Sequence, residues 1–231
     1  WATGWNPYDA ERIENLGFGR HPNIITNLMM ERLASANGPT GGKISRPSDG
    51  KEINSVAFVQ CAGSRDENYL KYCSGVCCLG SLKQVRYVRE RYPEAQIYVF
   101  YIDIRAPGRL EDFFVATEKD EKLSLIKGKV AKITEDATSG LLEVEAEDTL
   151  SGEKIAQKVD LVVLATGMVP VAAGEAQVDG GLQTDEFGFL TTEQDLPGML
   201  AAGCAKRPID VATCVRDATG AAMKALTISG E

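Results

Sequence analysis

Ser55-Val56-Ala57-Phe58-Val59-Gln60, the stretch 78–92 and Ile97-Tyr98-Val99-Phe100-Tyr101-Ile102 together decide the fold. The first is an apolar run of strand length. In the second, Leu79, Leu82, Val85, Val88 and Tyr92 recur at the spacing of one helix face, and Pro93 closes it. The third is apolar at every position, as a parallel strand covered by helices on both faces requires. Strand, helix and strand in this order predict a β-α-β unit. The fold class is therefore α/β, with a Rossmann-like three-layer domain.

Upstream, residues 1–50 read as mostly loop and short helix. Ile25, Leu28, Met29 and Leu33 have helical spacing over 25–34, with Asn23 or Thr26 as the cap. Residues 36–49 are rich in Gly, Pro and Ser and read as a surface connection. Downstream, a helix is expected near 109–118. The stretches 128–134 and 141–147 then alternate, with a turn at 149–154 and a strand at 155–159, the signature of an antiparallel meander with one solvated face. Residues 159–166 return to a buried strand that ends in Ala165-Thr166-Gly167. A loop-rich final section carries 189–191, a strand at 199–202 and a helix from Asp210 to about Leu226.

The chain has 231 residues, 44% of them apolar and 25% charged, enough to bury a core and unlike a disordered or collagenous chain. A net charge of −8 argues against nucleic-acid binding, which needs a basic face. No apolar run reaches the ~18 residues of a membrane span. No signal peptide is legible, and the chain opens on Trp1 rather than Met. His21 is the only histidine and sits beside Pro22, as a surface or turn residue would. With no nucleophile–His pair and no paired carboxylates, hydrolase chemistry has no support; the acidic stretches 118–121 and 143–148 read as solvated faces.

Four of the six cysteines, Cys61, Cys73, Cys77 and Cys78, fall within eighteen residues. Four thiolates suit a cubane iron–sulfur cluster or a structural zinc. Cys61 is expected at a strand end, and Cys73 and Cys77 on one helical face. The side chains of adjacent Cys77 and Cys78 diverge, which suits separate corners of a cubane better than one tetrahedral ion, and zinc sites usually show Cys-x2-Cys knuckles. A redox dithiol and inert buried cysteines are the alternatives. Cys204 and Cys214 lie far downstream and read as bystanders, Cys214 as a core residue.

Cys61-Ala62-Gly63-Ser64-Arg65 stands where a nicotinamide-binding domain would place its glycine turn, but a single glycine survives. Close approach of a pyrophosphate is not expected there, which argues against NAD(P)H binding. Asp103, at the next strand end, could hold a ribose, although a solvated strand-end carboxylate is the weightier reading. No Gly-x-Gly-x-x-Gly follows a strand; Gly17-Phe18-Gly19 comes nearest and lies in a loop.

Ala2-Thr3-Gly4-Trp5-Asn6-Pro7 and Ala165-Thr166-Gly167-Met168-Val169-Pro170 are two versions of one phrase, 163 residues apart. With Gly198-Met199-Leu200-Ala201-Ala202-Gly203 and the helix that follows, they resemble the two-dinucleotide-domain flavoproteins of the glutathione- and thioredoxin-reductase kind. Val59-Gln60-Cys61-Ala62-Gly63-Ser64-Arg65-Asp66, Tyr72-Cys73-Ser74-Gly75-Val76-Cys77-Cys78 and Ser81-Leu82-Lys83-Gln84 resemble the A-type subunit of heterodisulfide reductase. The opening Gly4-Trp5-Asn6-Pro7-Tyr8-Asp9 resembles its sulfate-reducer relative, the A-type subunit of the quinone-interacting membrane-bound oxidoreductase.

The resemblance implies three parts: 1–50, a crossing segment and remnant of an FAD domain; 51–165, an inserted NAD(P)-type domain with the cysteine cluster; and 166–231, the C-terminal part of the FAD domain. It implies a C-terminal fragment of a longer flavoprotein, lacking the main FAD-anchoring motif. FAD in the longer protein would meet Thr3, Gly4, Thr166, Gly167, Gly203, Cys204, Ile209, Asp210 and Val211. Cys204 replaces the family's usual Asp, which weakens that contact, and Asp210 reads equally as a helix N-cap. Cys61, Cys73, Cys77 and Cys78 would hold a [4Fe–4S] cluster that relays electrons to or from FAD. The implied partners are the other subunits of a redox complex on the cytoplasmic side of a membrane, with no insertion of this chain and no nucleic acid; a homodimer is compatible. Two rival readings are an NAD(P)H-dependent flavin disulfide reductase with a Cys73/Cys77 dithiol, and a cofactor-free module that docks subunits.

Overall fold

The computed structural model describes residues 1–171, 183–191 and 198–229. Its elements run β1 (Trp5–Pro7), β2 (Ile24–Thr26), α1 (Asn27–Ala34), β3 (Ser55–Ala62), α2 (Cys77–Arg91), β4 (Gln96–Tyr101), α3 (Leu110–Glu118), β5 (Leu123–Lys127), β6 (Val130–Glu135), β7 (Leu142–Glu147), β8 (Lys154–Val159), β9 (Leu161–Thr166), β10 (Met168–Pro170), β11 (Gln183–Thr184), β12 (Leu190–Thr191) and α4 (Val211–Ser229). Three-residue 3₁₀ turns lie at Ala10–Arg12, Glu14–Leu16 and Gly203–Ala205. The chain divides into two compact units: a smaller one of Trp1–Tyr8, Cys73–Val76 and Gly167–Glu231, and a larger one of Asp9–Tyr72 and Cys77–Thr166.

The larger unit is built on a five-stranded parallel sheet in the order β2-β9-β3-β4-β5. Its α/β class agrees with the β-α-β reading, and α2 spans almost the stretch expected from periodicity. Alternate residues of the strands feed one core: Val56 and Phe58, Ile97 and Val99, and Leu161 and Val163 pack with Ile25, Met30, Val85 and Val88. The intervening Ala57, Val59, Val162 and Leu164 are buried as well, so both faces of the central strands are covered. The meander forms as expected, an antiparallel sheet in the order β6-β7-β8 with Val130, Ile133, Leu142, Val144 and Val159 buried.

One polar group pins the amino ends of the two central strands. Buried Asp160 accepts hydrogen bonds from the Asn54 and Ser55 backbone N–H groups and from Ser55 Oγ at 2.9–3.0 Å, with Arg46 Nη1 3.5 Å away. Ser55 Oγ in turn accepts from the Asp160 N–H at 3.0 Å. β3 and β9 therefore start in fixed register.

The structure departs from the sequence reading in several places. Ile24 and Ile25 form an edge strand rather than the start of a helix, because Thr26 Oγ1 caps α1 by accepting from the Met29 N–H at 3.3 Å. Residues 9–50 lie in the larger unit and residues 1–8 in the smaller. β5 pairs along the outer edge of β4, where the sequence reading had no element. Residues 199–202 are not a strand: two main-chain bonds, Trp1 N to Leu200 O and Ala202 N to Trp1 O, tie them to the first residue instead. Within the smaller unit, β1 pairs antiparallel with β10, which brings the two Ala-Thr-Gly-bearing segments side by side.

Candidate functional site

In open α/β sheets, ligands gather at the carboxyl ends of the strands. In the larger unit that edge is where β3 ends in Cys61-Ala62, where β9 ends in Thr166, and where α2 opens on Cys77 and Cys78. The register between β3 and β9 shifts between Val59 and Ala62, and Cys61 at that shift has φ +55°. A non-glycine residue in this left-handed region is uncommon and marks a position held by its surroundings. Arg65 has φ +56° in the same segment.

The loop after β3 folds on itself. Ser64 N bonds Cys61 O, Leu70 N bonds Gly63 O, Asp66 N bonds Leu70 O and Arg65 N bonds Tyr72 O, all at 2.9–3.2 Å. Asp66 ties the loop to the meander through Lys129. The Lys129 ammonium, with the Asn68 N–H second, holds the Asp66 carboxyl below its ordinary value. A cleft of about 280 Å³ beside Cys61 is lined by Ile13, Val59, Tyr69, Lys129 and Val130.

The thiols at the start of α2 face carbonyls: Cys77 Sγ meets Thr166 O at 3.6 Å, and Cys78 Sγ meets Asp103 O at 3.7 Å. They diverge, as expected of adjacent residues. Cys73 is not on a helical face with Cys77, because α2 begins only at Cys77 and Gly75, at φ +74°, breaks the segment between them. Cys73 belongs to the smaller unit, where its Sγ accepts from the Gly75 N–H at 3.4 Å. Among the described residues, no three His, Cys, Asp or Glu side chains are gathered to hold a metal ion. The donor set nevertheless suits an iron–sulfur centre in kind and number, and the amino end of a fifteen-residue helix is a favourable place for thiolate charge.

Asp103 is a half-exposed carboxylate, as the solvated reading expected, and it carries arginine partners. Its Oδ1 is bonded by Arg65 Nη1 at 2.6 Å and approached by Arg105 Nε at 3.5 Å. Arg65 stands in the segment at the glycine-turn position, but its pairing with Asp103 has no sequence signal; for Arg105, its place two residues past a strand-end acid is the available signal. His21, expected as a surface or turn residue, lies 3.0 Å from Glu135 of the meander.

The residues implied for FAD are distributed over both units. Thr166 Oγ1 bonds Asn27 Oδ1 at 3.1 Å in the larger unit. In the smaller unit, Gly167 O accepts from the Tyr8 N–H at 2.9 Å, and Gly4, at φ +77°, has its carbonyl 3.3 Å from Val171 N; Thr3 is exposed. The Gly203 N–H donates to Asp217 Oδ2 at 2.7 Å. Cys204 Sγ faces Ile209 O at 3.4 Å and Cys214 Sγ at 3.6 Å, so Cys214 is a partner of Cys204 rather than an isolated core residue. Asp210 is the N-cap of α4: its Oδ1 accepts from the Thr213 N–H at 2.9 Å and its Oδ2 from Thr213 Oγ1 at 2.8 Å. Those bonds, the backbone one foremost, lower the Asp210 pKa. No helix of the described residues is long and apolar enough to cross a membrane.

Among solved structures, the fold is that of the thioredoxin reductases. The thioredoxin reductase of Lactococcus lactis matches with a TM-score of 0.62 at 18% identity, over 98% of this chain and 64% of that one. The T. acidophilum thioredoxin reductase matches with a TM-score of 0.61 at 16% identity, over 100% of this chain and 65% of that one. Sequence similarity is more specific. An A-type iron-sulfur subunit of the CoB–CoM heterodisulfide reductase of Methanopyrus kandleri is 38% identical over 237 residues, 98% of this chain and 36% of that protein. The A-type subunit of the H2:CoB-CoM heterodisulfide,ferredoxin reductase of Methanothermobacter thermautotrophicus is 37% identical over 97% of this chain and 36% of that protein. No family model matches the chain. The chain is homologous to a segment of the A-type subunit of heterodisulfide reductase, and it spans about a third of the length of these relatives.

Proposed function

We propose that this chain forms the electron-relay part of a heterodisulfide reductase-like oxidoreductase subunit, with Cys61, Cys73, Cys77 and Cys78 as the ligands of a [4Fe–4S] cluster. The observation that carries the reading is the strained backbone of Cys61. A cysteine is kept in a left-handed conformation at the carboxyl edge of the parallel sheet, where glycine would sit without cost. The name of the Methanopyrus kandleri relative, an iron-sulfur subunit, supports the same assignment.

The cluster, when bound, supplies one-electron transfer. The chain's own residues position and shield it. The self-bonded loop 61–72 presents Cys61 from β3, and the first turn of α2 presents Cys77 and Cys78. The amino end of this helix would favour the negative charge of the Cys77 and Cys78 thiolates. Arg65, paired with Asp103, places a fixed cation on the same edge.

FAD contacts are proposed at the Thr3-Gly4 and Thr166-Gly167 crossings, Gly203-Cys204 and Ile209-Asp210-Val211. The side chains of Asp210 and Cys204 already have partners there, so backbone edges would carry the contact. The proposed setting is a multi-subunit redox complex on the cytoplasmic side of a membrane, joined through partner subunits.

Anaerobic reconstitution of the chain with ferrous iron and sulfide tests the cluster. The expected result is about four irons per chain with a thiolate-to-iron charge-transfer band, and loss of both in Cys61→Ser and Cys77→Ser. A wild-type chain that takes up no iron overturns the assignment.

A further inference from the structure

The smaller unit brings the two downstream cysteines together, with Cys204 Sγ and Cys214 Sγ 3.6 Å apart and both thiols free. Cys204 sits in the 3₁₀ turn Gly203–Ala205 and Cys214 in the first turn of α4. Several bonds hold these two pieces in place. Asp217 of α4 accepts from the Gly203 N–H at 2.7 Å and from Lys206 Nζ at 3.3 Å, which clamps the turn onto the helix from both sides of Cys204. The Cys214 N–H donates to Asp210 O at 2.8 Å, and the Asp210 cap fixes the start of the helix. A Cβ placed on Gly203, whose φ is +69°, would stand 3.5 Å from Cys214 Sγ, so the turn backbone packs directly on that sulfur. The two thiols differ in access. Cys204 is buried with its sulfur against Ile209 O, whereas Cys214 is half-buried.

We infer that Cys204 and Cys214 are a disulfide-exchanging dithiol whose reaction partner is a small-molecule disulfide. Cys214, the accessible member, attacks as thiolate. The small disulfide's S–S bond breaks, a mixed disulfide forms on Cys214, and one thiolate leaves and takes a proton. Cys204 then loses its proton to solvent and attacks the Cys214 sulfur. This forms the Cys204–Cys214 bond and releases the second thiol. The pair gives up two electrons and two protons, and the small disulfide becomes two thiols. Closing the pair moves the sulfurs from 3.6 Å to a bond of about 2.05 Å, within reach of side-chain rotation on two short, anchored elements. Burial, with the neighbouring Cys204 thiol as a further cause, raises the Cys214 pKa, so exchange quickens as pH rises through the alkaline range. The inference needs neither the cluster nor the flavin.

The test uses the full chain and oxidised glutathione as the probe, followed by alkylation of remaining thiols, trypsin and mass spectrometry. Trypsin cleaves after Lys206, between the two cysteines, so a link between them joins two peptides. The expected product is that linked pair, about 2 Da lighter than the two free thiol peptides together. Cys204→Ser removes the resolving thiol and is expected to accumulate one glutathione on Cys214. Separate alkylation of Cys204 and Cys214 after exposure, pairing of either with another cysteine, or a Cys204→Ser chain that gains no adduct overturns the inference.

Discussion

Cys61 shows how much a single backbone angle can say. Its φ of +55° costs a cysteine about 1 kcal/mol that glycine does not incur. Cys61→Gly should therefore change the stability of the cluster-free chain by less than about 1 kcal/mol, despite loss of a buried side chain. Cys61→Val should cost about 2 kcal/mol, because a β-branched residue tolerates that region least. Urea unfolding of both variants measures the difference. Sequence alone exposed the four clustered cysteines, because their residue type and crowding carry chemical meaning. It could not expose the strain at Cys61, the Arg65–Asp103 pair or the approach of Cys204 to Cys214. Each depends on a loop conformation or on contacts between distant residues, which leave no periodic trace.

Element by element, the legible parts are those with strong periodicity. β3, α2 and β4 declare themselves through apolar runs and one helical stripe, and the meander through alternation. β5 escapes because every residue of Leu123-Ser124-Leu125-Ile126-Lys127 is only half-buried on an edge strand. β2 escapes because Ile25 also fits the helical stripe that Thr26 in fact begins. Two element-scale outcomes follow from side-chain bonds. Asp210→Ala removes the cap of α4 and should cost about 1 kcal/mol of helix stability, read as faster amide exchange at residues 212–214. Asp66, held below its ordinary value of 3.8, stabilises the loop 61–72 fully above that pH and loses the effect as pH falls through its lowered folded-state value. Amide exchange at Asn68 and Leu70 should accelerate below about pH 3.8, and Lys129→Gln should weaken that dependence.

At the scale of the whole molecule, burial is unevenly shared. β9 is fully enclosed, with all six of its residues buried. α4 instead leaves Val211, Val215, Met223 and Leu226 more than 60% exposed. Native-state hydrogen exchange should find β9 amides among the last to exchange and α4 amides among the first, by local opening. The unit division itself was beyond local reading. It assigns residues 73–76 to one unit and their neighbours on both sides to the other, and such discontinuity has no compositional mark.

The Asp160–Ser55 pin gives β3 and β9 a common origin from which every later position is counted. Cys61 is the seventh residue of its strand and Thr166 the last of its own, so their heights above the pin are set by strand length. A residue inserted or deleted between 56 and 60 would swap the two faces of β3 and shift its thiol along the edge at once. Variation in length is therefore inadmissible between the pin and the thiol.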